Sequence, residues 1–117
     1  MNYESARIYL INQGLGGSVN STESKDTFLQ RLQQGKPPLP GQATTILSAL
    51  RIVFDNLKGQ EQLDRNLVHA LYSLAVHSPQ LLSRWRGMGK VAPPLLEDDL
   101  QRIAVGVESI FSDRWQL

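Results

Sequence analysis

The chain has 117 residues, 41% apolar and 20% charged, with a formal net charge of +1. At that length one domain buries about two-thirds of its unfolded surface, and the near-zero charge excludes a strong global field for nucleic acid or anionic lipid. With no cysteine, disulfides, thiolate metal sites and thiol nucleophiles are excluded as well.

The opening residues Met1 to Arg7 lack a basic segment followed by an apolar run, so no signal peptide is expected. No apolar stretch approaches the roughly 20 residues that cross a bilayer, and the expectation is a soluble cytoplasmic protein. Glu4 to Gln13 reads as a first helix that Gly14 stops. Its apolar residues fall on more than one face, so it either covers a bundle or pairs with a second copy in a homodimer. Residues 14–24 are rich in Gly, Ser, Thr and Asn and read as a flexible loop. Ser24 is the expected cap of a second helix, with Phe28, Leu29 and Leu32 inward and Gly35 at its end.

A Pro-rich elbow, Lys36 to Gly41, follows. Two rings in succession fix φ and push the preceding residues out of the α region, so the backbone there is expected to be extended. The strongest helical stripe comes next: Ile46, Leu47, Leu50, Val53, Phe54 and Leu57 share one face at period 3.6. Gly59 ends it. Asp64 is the expected cap of a helix burying Leu67, Val68, Leu71, Leu74 and Ala75. Ser78-Pro79 reads as the start of another short helix through Leu81, Leu82 and Trp85. Arg86-Gly87-Met88-Gly89 breaks it, and a second elbow, Val91 to Leu95, leads into a last helix with Leu96, Leu100, Ile103, Val107, Ile110 and Phe111 inward, ending near Ser112. The best strand candidate, Ile52-Val53-Phe54, lies inside the strongest helical pattern. The expectation is an all-α single domain over 1–117: a compact bundle of five to six helices with two Pro-Pro elbows.

The elbows share a phrase, Gly35-Lys36-Pro37-Pro38-Leu39 and Gly89-Lys90-Val91-Ala92-Pro93-Pro94-Leu95. The second copy carries two extra residues and the following helices share little, so common helix-start chemistry explains it better than duplication. Gly14-Leu15-Gly16-Gly17-Ser18 and Gly87-Met88-Gly89-Lys90 both invite a phosphate-loop reading. Neither has the preceding strand or the Lys-Ser/Thr that such a loop needs, and both read as plain loops. His69 and His77, about 12 Å apart along one helix, are too distant to chelate one ion. Glu97-Asp98-Asp99 at a helix start is better read as dipole complement and capping than as an acid–base pair. No catalytic, cofactor or metal constellation emerges.

Arg84-Trp85-Arg86 with Lys90 is the most distinctive cluster, three cations and an indole within seven residues. Exposed, it could hold phosphate, stack a base or anchor a protein interface; alternatively Trp85 is a core residue and the cations are merely solvated. The elbow residues Lys36, Pro37, Pro38 and Pro40 form a second candidate contact surface, because proline-reading domains favour a preformed extended helix.

Several stretches also carry a family resemblance: Asn2-Tyr3-Glu4-Ser5-Ala6, the run from Arg31 to Gln42, Leu63-Asp64-Arg65 with His69-Ala70-Leu71, and Pro93 to Ala104 with Glu108 to Ser112. They resemble a small cyanobacterial family of about this length, often labelled dethiobiotin synthetase. That label implies a nucleotide-dependent α/β ligase of about twice this length with a phosphate loop and parallel sheet, none of which this chain's pattern provides.

Three functional expectations follow. The leading one is a non-enzymatic adaptor or regulator that docks on a protein, for instance inhibiting or scaffolding an RNA-processing enzyme such as a ribonuclease. Its contacts would be Arg84, Trp85, Arg86 and Lys90 with the first elbow. The second is direct RNA or DNA binding, with Trp85 stacking and the cations on phosphates. The third is the small nucleotide-dependent enzyme that the label implies.

Overall fold

The computed structural model describes residues 1–15 and 26–117. Among these there are helices and no strands: α1 (Tyr3–Leu15), α2 (Phe28–Gln33), α3 (Gln42–Leu57), α4 (Arg65–Tyr72), α5 (Ser78–Gly87) and α6 (Leu96–Ser112). A π-helical turn, Ser73–His77, joins α4 to α5 without a break, so the six elements form five rods. The all-α bundle is what the apolar periodicity anticipates.

The centre is the α3–α6 pair. Ile46, Ala49, Leu50 and Val53 on α3 are wholly buried, and Leu100, Ile103 and Val107 on α6 are nearly so. Each such Leu or Ile contributes about 1.5–3 kcal/mol relative to exposure. Gly106 lets the two axes approach, since a Cβ there would lie 2.9 Å from Leu50 Cδ1.

Helix α1 covers α3 and α4, and here the sequence expectation needs correcting. Gly14 does not stop the helix; it is buried inside α1. A Cβ at Gly14 would fall 2.4 Å from the Ala70 carbonyl oxygen, so the glycine serves helix–helix contact. Of the expected 14–24 loop, Gly14 and Leu15 are thus helical and the rest lies outside the described residues. The same holds for Ser24 as a cap. Thr27 caps α2 instead, its Oγ1 accepting from the Gln30 N–H at 3.4 Å.

Asp64 caps α4 as expected, with Oδ1 accepting from the Asn66 N–H at 3.0 Å. Its other oxygen accepts from Arg7 on α1 at 2.6 Å, tying the two helices. Ser78-Pro79 does open α5, with Pro79 in its first turn, but within one continuous rod and without a side-chain cap. Pro79 cannot donate to the carbonyl four residues back, and its ring crowds that carbonyl. The helix stays continuous because the turn before it widens, with the Ser78 N–H reaching the Ser73 carbonyl. The Ser78 hydroxyl is fully buried with no hydrogen-bond partner, so it is no cap.

The Gly-Lys phrases close the preceding helices as well as leading to the next. Gly35 has φ 73° and Gly89 has φ 77°. Behind them Lys36 N–H reaches the Arg31 carbonyl (2.8 Å) and Lys90 N–H the Trp85 carbonyl (2.9 Å). Gly35 and Gly89 donate to Leu32 and Arg86, completing two Schellman caps of the same pattern. Only then does Pro-Pro-Leu turn the chain into α3 or α6.

Candidate functional site

The cluster around Trp85 comes apart in three dimensions. Successive helical residues point about 100° apart, so Arg84, Trp85 and Arg86 cannot share a face. Trp85 faces inward, 3% exposed, and its Nε1–H donates to the Leu32 carbonyl at 2.9 Å. The indole is therefore a core anchor, and the exposed stacking platform is corrected. Arg86 pairs with Glu97 at 2.6 Å across α5 and α6. Arg84 lies on the other side of α5, in an open depression with Gln33 and His77. Lys90 folds back along the indole, its Nζ 5.9 Å from the ring centroid, and donates to the Gly35 carbonyl at 3.1 Å.

The Glu97-Asp98-Asp99 triplet does occupy the first turn of α6, where it complements the dipole. No side chain caps that helix by a hydrogen bond at Leu95. The second glycine-rich candidate is likewise spent internally: Met88, Gly89 and Lys90 N–H groups all donate to carbonyls of α5, leaving none of the three for a phosphate. Gly16 to Ser18 of the first candidate lie outside the described residues. Among the described residues no group of three His, Cys, Asp or Glu could hold a metal ion, and no helix is long and apolar enough to cross a membrane.

What the fold brings together is the two elbows. Trp85 and Lys90 bind the carbonyls of Leu32 and Gly35, so the end of α2 is clamped by α5 and the start of the second elbow. Arg31 stiffens the first elbow from beneath, its Nε donating to the Pro37 carbonyl at 2.6 Å and its Nη1 meeting Asp26 at 3.1 Å. Between the elbows lies a cleft of about 240 Å³, with Pro37, Pro38 and Leu39 on one wall and Pro93 and Leu95 on the other. Leu39 is 40% and Leu95 68% exposed, and Val91 stands out almost fully at 92%. Asp99 supplies a carboxylate to the cleft. Lys36, Pro37 and Pro40 are exposed at its margin.

Asp99 was read from sequence only as part of the acidic triplet at the start of α6, and Leu39 and Leu95 were not singled out as contact residues. Their only signal is that Leu follows Pro-Pro in both phrases, a pattern that announces a helix start more strongly than a surface. A second cleft, between α5 and α6, has no sequence signal beyond the small residues Ser83 and Ala104. No family model, curated protein or solved structure matches this chain.

Proposed function

We propose that this chain is a non-enzymatic interaction protein whose docking face is the joined pair of proline elbows. The observation that carries the reading is the pair Leu39 and Leu95, exposed on opposite walls of one cleft whose walls are locked together by Lys90. Large aliphatic side chains held in water on a stiff frame are ready to be buried by a partner, because little ordering remains to be paid on binding. The Trp85 indole supports the face from behind rather than touching the partner. Direct nucleic-acid binding finds less support: Trp85 is buried and the cations of the cluster point apart.

The test is crosslinking in native extract at low salt, with the full chain and with a Leu39→Glu/Leu95→Glu variant. The expected result is one enriched protein, lost in the variant while its melting temperature stays within a few degrees. Capture undiminished by the double substitution would remove the elbow face from the reading. No enriched protein at all would remove the adaptor reading itself.

A further inference from the structure

We propose that the cleft between α5 and α6 is a binding site for a small apolar amine: a hydrocarbon body carrying one positive charge. The site is separate from the elbow face and does not rest on the adaptor reading. The cleft holds about 450 Å³, inside the range of small-molecule pockets, and its floor is aliphatic: Leu82, Leu100, Ala104 and Val105. Ser83 and Ala104 are small enough to leave this space open where two larger residues would fill it.

The charges select the sign of the ligand. The Arg86–Glu97 ion pair closes one end, its partners 2.6 Å apart and mutually neutralised. Glu108 also lines the cleft, three turns farther along α6, about 16 Å at the helical rise. Among the described residues it has no ion-pair partner. The lining therefore carries two carboxylates against one guanidinium, a net charge of −1. An anionic amphiphile would face Glu108 and find in Arg86 a guanidinium whose charge Glu97 already balances. A neutral one would cover Glu108 without compensation. A cation with an apolar body buries its chain on the floor and meets the free carboxylate.

The experiment uses the full chain, isotope-labelled for NMR, titrated with decylamine or decanoate, each below its micelle concentration. Decylamine is expected to move the amides of Leu82, Leu100, Gln101 and Val105 and to bind roughly ten-fold tighter than decanoate, attraction for one and repulsion of the other each supplying about three-fold. Glu108→Gln should bring the two within about two-fold of each other. Ala104→Leu should abolish both sets of shifts, and Ser83→Leu, on the exposed side of α5, serves if that variant does not fold. Equal affinity for the two amphiphiles in the wild type, a preference that survives Glu108→Gln, shifts centred elsewhere, or no binding of decylamine would each overturn the proposal.

Discussion

The Lys90 ammonium donates to the Gly35 carbonyl at 3.1 Å, across 55 residues of sequence. The lysine of one Gly-Lys phrase thus holds the glycine of the other. Replacing it by methionine keeps the aliphatic stem and removes the donor. Lys90→Met should cost about 0.5–1.5 kcal/mol in urea unfolding, the range of an ordinary hydrogen bond, because solvent screens the charge of this exposed ammonium. A variant as stable as the wild type would show that the bond does not clamp the elbows.

Trp85 joins a large buried surface to one polar bond. Trp85→Phe keeps most of the surface but removes one donor from the Leu32 carbonyl, which retains the Gly35 N–H, an expected loss of about 0.5–1.5 kcal/mol. Trp85→Ala should lose about 3–5 kcal/mol through the cavity. The wild-type indole should also resist quenching by iodide; ready quenching would contradict its burial.

Gly14 faces the Ala70 backbone so closely that a methyl group has no room. Backbone cannot step aside as a flexible side chain can, so Gly14→Ala forces α1 away from α4. The expected cost is at least about 1–3 kcal/mol, although alanine favours a helix more than glycine does. Thermal melts showing Gly14→Ala to be stabilising would mean that α1 crosses α4 at a greater distance.

Asp113 ends α6 at φ 58°, the only non-glycine residue with positive φ among those described. Both its carboxylate oxygens accept from the Gly59 N–H at 3.1 Å, which ties the end of α6 to the end of α3. Asparagine tolerates the conformation and keeps an acceptor, glycine relieves the backbone but loses it, and alanine does neither. Stability should therefore fall in the order Asn, Gly, Ala, with Asp113→Ala about 1–2 kcal/mol below wild type. Glycine equal to or below alanine would sink the ordering.

Burial raises the Tyr9 phenol above its ordinary value near 10, against a smaller opposing hydrogen bond from Thr45. Tyr3 is raised as well, chiefly by burial. A raised value in the folded state means that the fold retains the proton when the unfolded chain has released it. Their contribution is fully present below pH 10 and is lost as the pH rises through the folded values. Tyr9→Phe should flatten the decline of stability above pH 10 in denaturant titrations; an unchanged slope would exclude Tyr9 as a cause.

Helices α3 and α6 were legible because Ile46, Leu50 and Val53, or Leu100, Ile103 and Val107, repeat at the period of one helix face. Asp64 was legible because a cap acts on its own next turn. Gly14 misled because its local meaning, stop, was overruled by tertiary contact with Ala70, and Ser78 misled as a cap because a widened turn carries the chain into α5 without a break. The cluster at Trp85 misled for another reason. Adjacency along a helix is divergence in space, so Arg84, Trp85 and Arg86 went to solvent, core and Glu97 respectively. The elbow cleft joins residues more than 50 positions apart, Leu39 and Leu95, and no local pattern announces that meeting.

The first elbow also has a peculiar backbone polarity. Pro37, Pro38 and Pro40 have no N–H, and the Leu39 N–H is already given to Gln42 Oε1 at 3.0 Å. Residues 37–40 consequently present acceptors and no available donor. An extended segment from another chain cannot add itself here as a strand, since half of every ladder pairing would be missing. This guards an exposed aliphatic surface against self-association of the β type, and it obliges any true partner to bring its own hydrogen-bond donors.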